Sequence, residues 1–133
     1  VGCVEDTGLW LCPLFMANPL ACAVAVASLG LLEDGSWSQQ VSTIEAKFSE
    51  KLPTLEYHAR VKNVRWVGAI GVVETHENVD MESIQKHFVD HGVWIRPFMN
   101  RIYLMPPYIS EPEHIEKLIG AISSALDLDI CFK

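Results

Sequence analysis

The sequence predicts an α+β domain in which helices cover one face of an antiparallel or mixed sheet and a long linking helix precedes the sheet. Three observations support this fold class. Three segments have the three-to-four-residue apolar spacing of helices, a fourth follows a helix cap and is apolar nearly all round, and short runs rich in Val, Ile and Trp are typical of strands. The predicted order is helix, helix, then strand-strand-helix twice. We expect one segment over residues 1–35 and the small α+β domain over residues 36–133.

The first helix is predicted over Pro19–Glu33. Asn18 can accept a backbone N–H at the cap, and Pro19 fits the first turn. Apolar residues occur nearly all round this helix, so we expect it to be buried on more than one side. The uncharged run Gly8–Leu32 is long enough for a membrane span, but prolines and Asn18 interrupt it. A helix buried among protein neighbours is therefore the favoured interpretation.

The second helix is predicted to begin near Ser36, after Asp34-Gly35 ends the first one. Ser36 and Gln39 have the spacing of a capping box. One apolar stripe follows before Pro53 ends the helix, and it consists of Trp37, Val41, Ile44 and Phe48.

Four strands are predicted, in two pairs. Gly68 and Gly71 fall within the first pair, where a glycine marks a bend or a close approach of backbone. The predicted strands are Val61–Val67, Ala69–Glu74, Val93–Arg96 and Ile102–Met105.

Two further helices follow the two strand pairs. Asp80 is predicted to cap the first of them and Gly92 to end it. Ser110 and Glu113 form a predicted capping box around Pro112 for the last helix. Their apolar stripes consist of Met81, Ile84, Phe88 and Val89, and of Ile115, Leu118, Ile119, Ile122 and Leu126.

Composition excludes several classes of protein. The formal net charge of −7 argues against a nucleic-acid binder, which needs clustered Lys and Arg. The four cysteines form no CxxC pair, so neither a zinc site nor a disulfide framework is expected, and reduced thiols in a cytoplasmic protein fit best. The chain begins at Val1 without a basic signal segment, and we expect it to be part of a longer protein.

Arg96 is the main candidate for a binding residue. Side chains alternate along a strand, so Trp94 and Arg96 should point the same way, and Pro97 should end the strand beside them. A guanidinium at such an edge can hold a carboxylate with two hydrogen bonds. The alternative is a structural ion pair with one of seventeen acidic residues. Some strand registers place Tyr103 beside Arg96, whereas others leave a half-buried Tyr with its hydroxyl at the surface; Arg101 is expected to be a solvated turn residue.

Other constellations are weaker. His87 and His91 have the spacing of two metal ligands on a helix, but no third ligand is placed nearby, and a solvated pair is the favoured interpretation. No nucleophile elbow, P-loop or GxGxxG motif is present. Cys12 would need a nearby cation to become a reactive thiol, and none is local in sequence.

Three stretches of the chain carry a family resemblance. They are PLFMANPLACAVAVASLGLLE, VRWVGAIGVVE and HGVWIRPFMNRIYLMPPYI. From about Cys12 to about Leu126 the chain resembles the C-terminal part of class III, fold type I aminotransferases that use pyridoxal 5′-phosphate. Within that class it is most similar to the enzymes of biotin synthesis.

The resemblance implies that the chain is the small C-terminal domain, with its linking helix, of a two-domain homodimer. It further implies that the whole enzyme transfers an amino group from S-adenosylmethionine to 8-amino-7-oxononanoate. The resemblance assigns Arg96 to the substrate carboxylate and Tyr103 and Cys12 to the same pocket. It assigns Pro13 and Leu14 to a loop at the cofactor phosphate, although Leu14 stands where the family has a Thr and brings no hydroxyl.

The resemblance also implies that the Schiff-base lysine lies on a large domain upstream of this chain. Five lysines of the chain occupy predicted helix or strand positions of the small domain and do not match the Schiff-base lysine. They are Lys47, Lys51, Lys62, Lys86 and Lys117. The chain is therefore expected to bind part of a substrate without transaminating it. The alternative is a non-catalytic, stand-alone α+β module that dimerises or binds a small carboxylate, because similar folds serve such functions.

Overall fold

The structure is a computed structural model that describes residues 18–133. It contains two units, one with helix α1 and one that runs from Trp37 to Lys133. Helix α1 covers Pro19–Gly30, and the Asn18 side chain caps it by accepting the amides of Leu20 at 2.9 Å and Ala21 at 3.3 Å. The predicted start of this helix is confirmed, and its end lies three residues before the predicted Glu33.

The expected burial of α1 among protein neighbours stays a prediction, because the helix is exposed within residues 18–133. No residue of α1 is buried, and its Leu and Val side chains are largely exposed. An apolar helix becomes buried only when neighbours pack on each of its sides. Over residues 18–133, no helix combines the length and the hydropathy that a membrane span needs.

The second unit is built on an antiparallel sheet of three strands among the described residues, in the order β1-β2-β3. Strand β1 covers Val61–Val67, β2 covers Ile70–Thr75 and β3 covers Arg101–Leu104. Strand β2 lies in the centre and pairs Val73 with Val64 on one side and with Ile102 on the other. The hairpin predicted from the first two strands is confirmed, and Gly68 makes its turn with φ +54°.

The predicted strand Val93–Arg96 is wrong, and so is its pairing with the strand that follows it. This segment is extended but joins no ladder within residues 18–133. The Val93 amide donates to Phe88 O at 2.9 Å, which ties the segment to the helix before it. Phe98 and Arg101 then close a tight turn on each other, so β3 returns to pair with β2 instead.

Five helical segments accompany the sheet among the described residues. They are α2 (Ser36–Lys51), a 3₁₀ helix (Leu52–Tyr57), α3 (Met81–Asp90), α4 (Pro112–Leu126) and a short 3₁₀ helix (Asp129–Cys131). Gly92 follows α3 with φ +66°, as a C-terminal glycine should.

Two predicted capping boxes are displaced. Ser36 lies inside α2, and its amide donates to the Asp34 carboxylate at 3.0 Å; this bond lowers the pKa of Asp34. The box of α4 is formed by Glu111 and His114 rather than by Ser110 and Glu113. Short polar residues in a row offer several competing caps, and the helix start selects one of them.

The core lies between one face of the sheet and the buried sides of α2, α3 and α4. Its largest fully buried side chains are Phe48, Phe88, Ile44, Leu52, Ile84, Ile102, Ile115, Ile122 and Leu126. Each predicted apolar stripe thus supplies core residues. Trp37, Met81 and Val89 lie at the margins of their stripes and remain exposed.

Candidate functional site

The segment before β3 presents Trp94 and Arg96 to solvent. Ile95 is 3% exposed and Pro97 is buried, whereas Trp94 is 65% exposed and Arg96 is also exposed. This is the predicted alternation of an extended chain, although no strand forms. The buried residues anchor the segment to the core and fix the direction of the other two.

Arg96 is paired with an aromatic ring and not with an acid. Its guanidinium carbon lies 5.5 Å from the centroid of the Trp94 ring, within the range of a cation–π contact. No acidic side chain of residues 18–133 forms a salt bridge with Arg96. The alternative of a structural ion pair is therefore not found in the described part of the chain.

Glu74, on the neighbouring strand β2, is occupied by other cations. Its carboxylate lies 3.0 Å from Lys62 Nζ and 3.8 Å from Arg65 Nη1. The hydrogen bond from Lys62 holds the pKa of Glu74 below its ordinary value. This acid is buried and charged, and its charge is compensated without Arg96.

Tyr103 stands on the same side as Arg96. In β3 the side chains of Ile102 and Leu104 are buried, whereas Tyr103 is 40% exposed and lies opposite Val72 of β2. Tyr103, Arg96 and Trp94 line two recesses together. Tyr103 thus faces the same recesses as Arg96, although the strand pairing from which this proximity was predicted does not form.

The two recesses differ in chemistry. The first has a volume of about 290 Å³ and is largely apolar beyond these three side chains, being completed by Ile95, Leu104, Met105, Pro106, Pro107, Ser110 and Leu118. The second, of about 400 Å³, is completed by Met81, Gln85 and Pro97. Arg96 can thus hold an anion at a point from which an apolar chain extends into the first recess.

A polar network fixes the turn between Arg96 and Tyr103. The Asn100 side-chain amide donates to Thr75 O at 3.0 Å, and the Thr75 amide donates to Asn100 O at 2.8 Å. Thr75 is fully buried, and its hydroxyl lies 2.8 Å from Glu77 O and 3.1 Å from Asn100 O. Met99 adopts φ +54° in this turn. Sequence reasoning missed Thr75 and Asn100, and the available signal was an Asn in a short polar turn between two apolar runs.

The remaining predicted residues are placed away from this site. His87 Nε2 lies 2.9 Å from Ser124 Oγ, and the rings of His87 and His91 stack at 4.0 Å. The described residues include no group of three His, Cys, Asp or Glu side chains suited to a metal ion. Arg101 is exposed at the first position of β3. Burial raises the pKa of the Cys131 thiol.

Part of the predicted site lies outside the described residues. Cys12, assigned to the substrate pocket, and Pro13 and Leu14, assigned to the cofactor loop, precede residue 18. Of the residues that the structure describes, no lysine lines either recess beside Arg96.

A family comparison matches most of the chain. The family described as "Aminotransferase class-III" matches residues 6–126. The match begins earlier than Cys12, where the motif resemblance begins. It includes the whole segment from Trp94 to Tyr103.

Curated relatives with the name "Adenosylmethionine-8-amino-7-oxononanoate aminotransferase" are similar to this chain. One from Buchnera aphidicola subsp. Schizaphis graminum is 50% identical over 120 residues, which are 90% of this chain and 28% of the relative. One from Corynebacterium glutamicum is 47% identical over 114 residues, which are 86% of this chain and 27% of the relative. The chain therefore spans little more than a quarter of the length of these relatives.

Solved structures share the fold. An omega transaminase from Pseudomonas jessenii in complex with PMP superposes with a TM-score of 0.72 at 21% identity, over 82% of this chain and 26% of that one. An (S)-enantioselective omega-transaminase from Thermomicrobium roseum gives a TM-score of 0.73 at 23% identity, over 82% of this chain and 27% of that one. The α+β prediction is confirmed by this likeness and by the observed sheet and helices.

Proposed function

The chain belongs to the class III aminotransferase family, and from this premise we propose that it forms the carboxylate-binding small domain of a biotin-pathway transaminase. The whole enzyme would transfer an amino group from S-adenosylmethionine to 8-amino-7-oxononanoate, the compounds in the name of its relatives. The observation that carries the proposal is Arg96, an exposed guanidinium over Trp94 that makes no salt bridge within residues 18–133.

In this proposal, Arg96 holds the carboxylate of the keto acid. A planar fork of N–H donors meets both carboxylate oxygens, and the Trp94 face keeps the fork in place. Tyr103 lines the same recess, and its hydroxyl can supply a further donor. The methylenes of a nonanoate chain then run along the apolar side of the first recess, beside Leu104 and Leu118.

The size of the recess supports a partial site. Ligand pockets usually enclose about 300–1,000 Å³. The apolar recess has about 290 Å³, at the low end of that range. We propose that it receives the acid end and part of the chain, and that the reacting carbonyl lies beyond it, held at a fixed distance from Arg96.

The family implies pyridoxal 5′-phosphate as cofactor, and the described residues do not fit it by themselves. That cofactor is bound through a lysine amine and a partner for its ring nitrogen. None of the six lysines of residues 18–133 lines either recess beside Arg96, and four of them form salt bridges with acidic residues: Lys47 and Lys51 with Glu50 and Glu116, Lys62 with Glu74 and Lys133 with Asp80. We therefore propose no catalytic step on this chain alone.

Further parts of the proposal concern organisation. We propose that residues 1–35 form a linking segment and residues 36–133 the small domain, and that Cys12, Pro13 and Leu14 lie near substrate and cofactor. A homodimer of the fold type I kind, working in the cytoplasm, is also proposed. The family match and the cysteine pattern support these assignments.

A binding experiment tests the role of Arg96. The chain is titrated with 8-amino-7-oxononanoate, and with nonanoate as an analogue without the amino ketone, by NMR. Replacing the guanidinium in Arg96→Met removes a charge-assisted pair of about 1.5–3 kcal/mol, which weakens binding about 10- to 150-fold. Arg65→Met is the control, because Arg65 lies on β1 and lines neither recess. Equal affinity of Arg96→Met and the unaltered chain would refute the proposal.

The second candidate, a stand-alone carboxylate-binding or dimerisation module, is favoured by the lack of a lysine beside Arg96 in residues 18–133. Incubation with pyridoxal phosphate and borohydride should leave no adduct at a single lysine under either proposal, and a specific adduct would contradict both. The coding DNA upstream of Val1 separates them. A continuous reading frame for a lysine-bearing large domain supports the transaminase, and a start codon at the boundary supports the module.

A further inference from the structure

Gln85 carries an unusual polar group. It is partly buried on α3, and its side-chain nitrogen Nε2 is fully enclosed without a hydrogen-bond partner among the residues that the structure describes. Enclosing an amide N–H without an acceptor opposes folding, and such groups are rare in native proteins. A residue of similar length without the amide would serve packing better. The amide of Gln85 therefore does not stabilise the fold, and we look for its role in binding.

The location of Gln85 suggests that role. Gln85 and Met81 lie one helical turn apart, and both line the recess of about 400 Å³ that also contains Arg96, Trp94 and Tyr103. Ile84 and Phe88, on the adjoining face of α3, are fully buried and hold the helix against the core. Gln85 is thus carried by a helix that is anchored in the core, and it lines the recess that contains the proposed anion site.

We infer that Gln85 is a specificity residue that donates a hydrogen bond to the ligand carboxylate held by Arg96. This inference rests on the proposed function. A carboxylate has two oxygens with about four acceptor positions, and a bidentate guanidinium fills two of them. The terminal torsion of a Gln side chain is soft, so the amide can turn its N–H toward a bound anion without movement of α3. The ligand then supplies the acceptor that residues 18–133 do not offer.

Two variants and a control test the inference. Gln85→Met keeps the length and removes the donor, whereas Gln85→Glu replaces the donor with an acid that competes for Arg96. Gln39→Met, at an exposed position of α2 away from the recess, is the matched control. Nonanoate is the probe, its Kd is measured by NMR titration, and the melting temperature of each unliganded variant is measured by circular dichroism.

The expected results separate a ligand role from a structural one. Gln85→Met should bind nonanoate about tenfold more weakly and melt at the same or a higher temperature, because an unpartnered buried amide is gone. Gln85→Glu should abolish binding at pH 7, and Gln39→Met should bind as the unaltered chain does. The ¹⁵N side-chain resonance of Gln85 should shift as the nonanoate site fills.

Two outcomes overturn the inference in distinguishable ways. If Arg96→Met loses binding while Gln85→Met retains it and melts lower, Gln85 is a packing residue, and the proposed function stands. If the unaltered chain does not bind nonanoate saturably, or Arg96→Met binds it equally well, the proposed function fails and this inference fails with it.

Discussion

Replacement of Gly71 by Ala tests the packing on which the proposed site rests. Gly71 lies in the central strand β2 opposite Leu104, one position from the pair between Val72 and Tyr103. A Cβ at residue 71 would lie 2.9 Å from Leu52 Cδ1 and 3.3 Å from Phe48 Cε2. Leu52 and Phe48 are both fully buried, so neither side chain can move aside freely.

The magnitude follows from two opposing effects. Forcing an extra methyl into a close-packed core costs about 1–3 kcal/mol. Replacing Gly by Ala within a strand returns about 0.5–1 kcal/mol through the smaller entropy of the unfolded chain. We therefore expect Gly71→Ala to lower the free energy of unfolding by about 1.25 kcal/mol, the difference between the middle values of these two ranges.

Urea unfolding followed by circular dichroism measures this change. A lower midpoint with an unchanged slope would show that stability, and not the denatured state, has altered. Gly120→Ala is the control, because Gly120 is exposed in α4 and its added Cβ meets no atom within 4 Å. That variant should gain up to about 1 kcal/mol from helix propensity. If Gly71→Ala is as stable as the unaltered chain, Gly71 does not pack closely against Phe48 of α2 and Leu52 of the 3₁₀ helix.

Three further predictions concern charge, pH and surface. Trp94→Leu should remove a cation–π contact of about 0.5–1 kcal/mol from Arg96 and weaken nonanoate binding about two- to fivefold in the same titration; unchanged affinity would show that the ring does not position the guanidinium. The pKa of Glu74 is held below its ordinary value of 4.5 by Lys62, so its contribution to stability is complete above pH 4.5 and is lost as the pH falls through the lower folded value. Glu74→Gln should thus be less stable than the unaltered chain at pH 7 in urea unfolding. Between pH 5 and pH 3 its free energy of unfolding should fall by less than that of the unaltered chain. An equal fall in both would count against the lowered pKa of Glu74. Exposed apolar residues cover α1 (Pro19–Gly30), so sedimentation should reveal concentration-dependent self-association that Val24→Lys reduces, and a monomer at every concentration would contradict this expectation.

The secondary structure that depends on neighbours in sequence was largely predictable. Helices α2, α3 and α4 and the hairpin follow from apolar spacing and turn residues, which act over three or four positions. Sequence alone could not show that the predicted strand Val93–Arg96 does not form, because a β-rich segment becomes a strand only when a partner lies beside it. In this fold β3 takes the place at the edge of β2, and residues 93–96 stay extended without a strand partner among residues 18–133.

The candidate site also combines features that the sequence determines with features that only the tertiary structure decides. The sequence alone determined that Trp94 and Arg96 point the same way, because alternation is a property of the extended backbone, and the WIRPF motif singled out the guanidinium. Only the tertiary structure decided how residues 18–133 surround Arg96: no acid among them pairs with it, Tyr103 lines the same recess, and none of them supplies an acceptor to the Gln85 side-chain nitrogen. Those facts depend on which side chains meet across elements far apart in sequence, and packing of the whole core sets those distances.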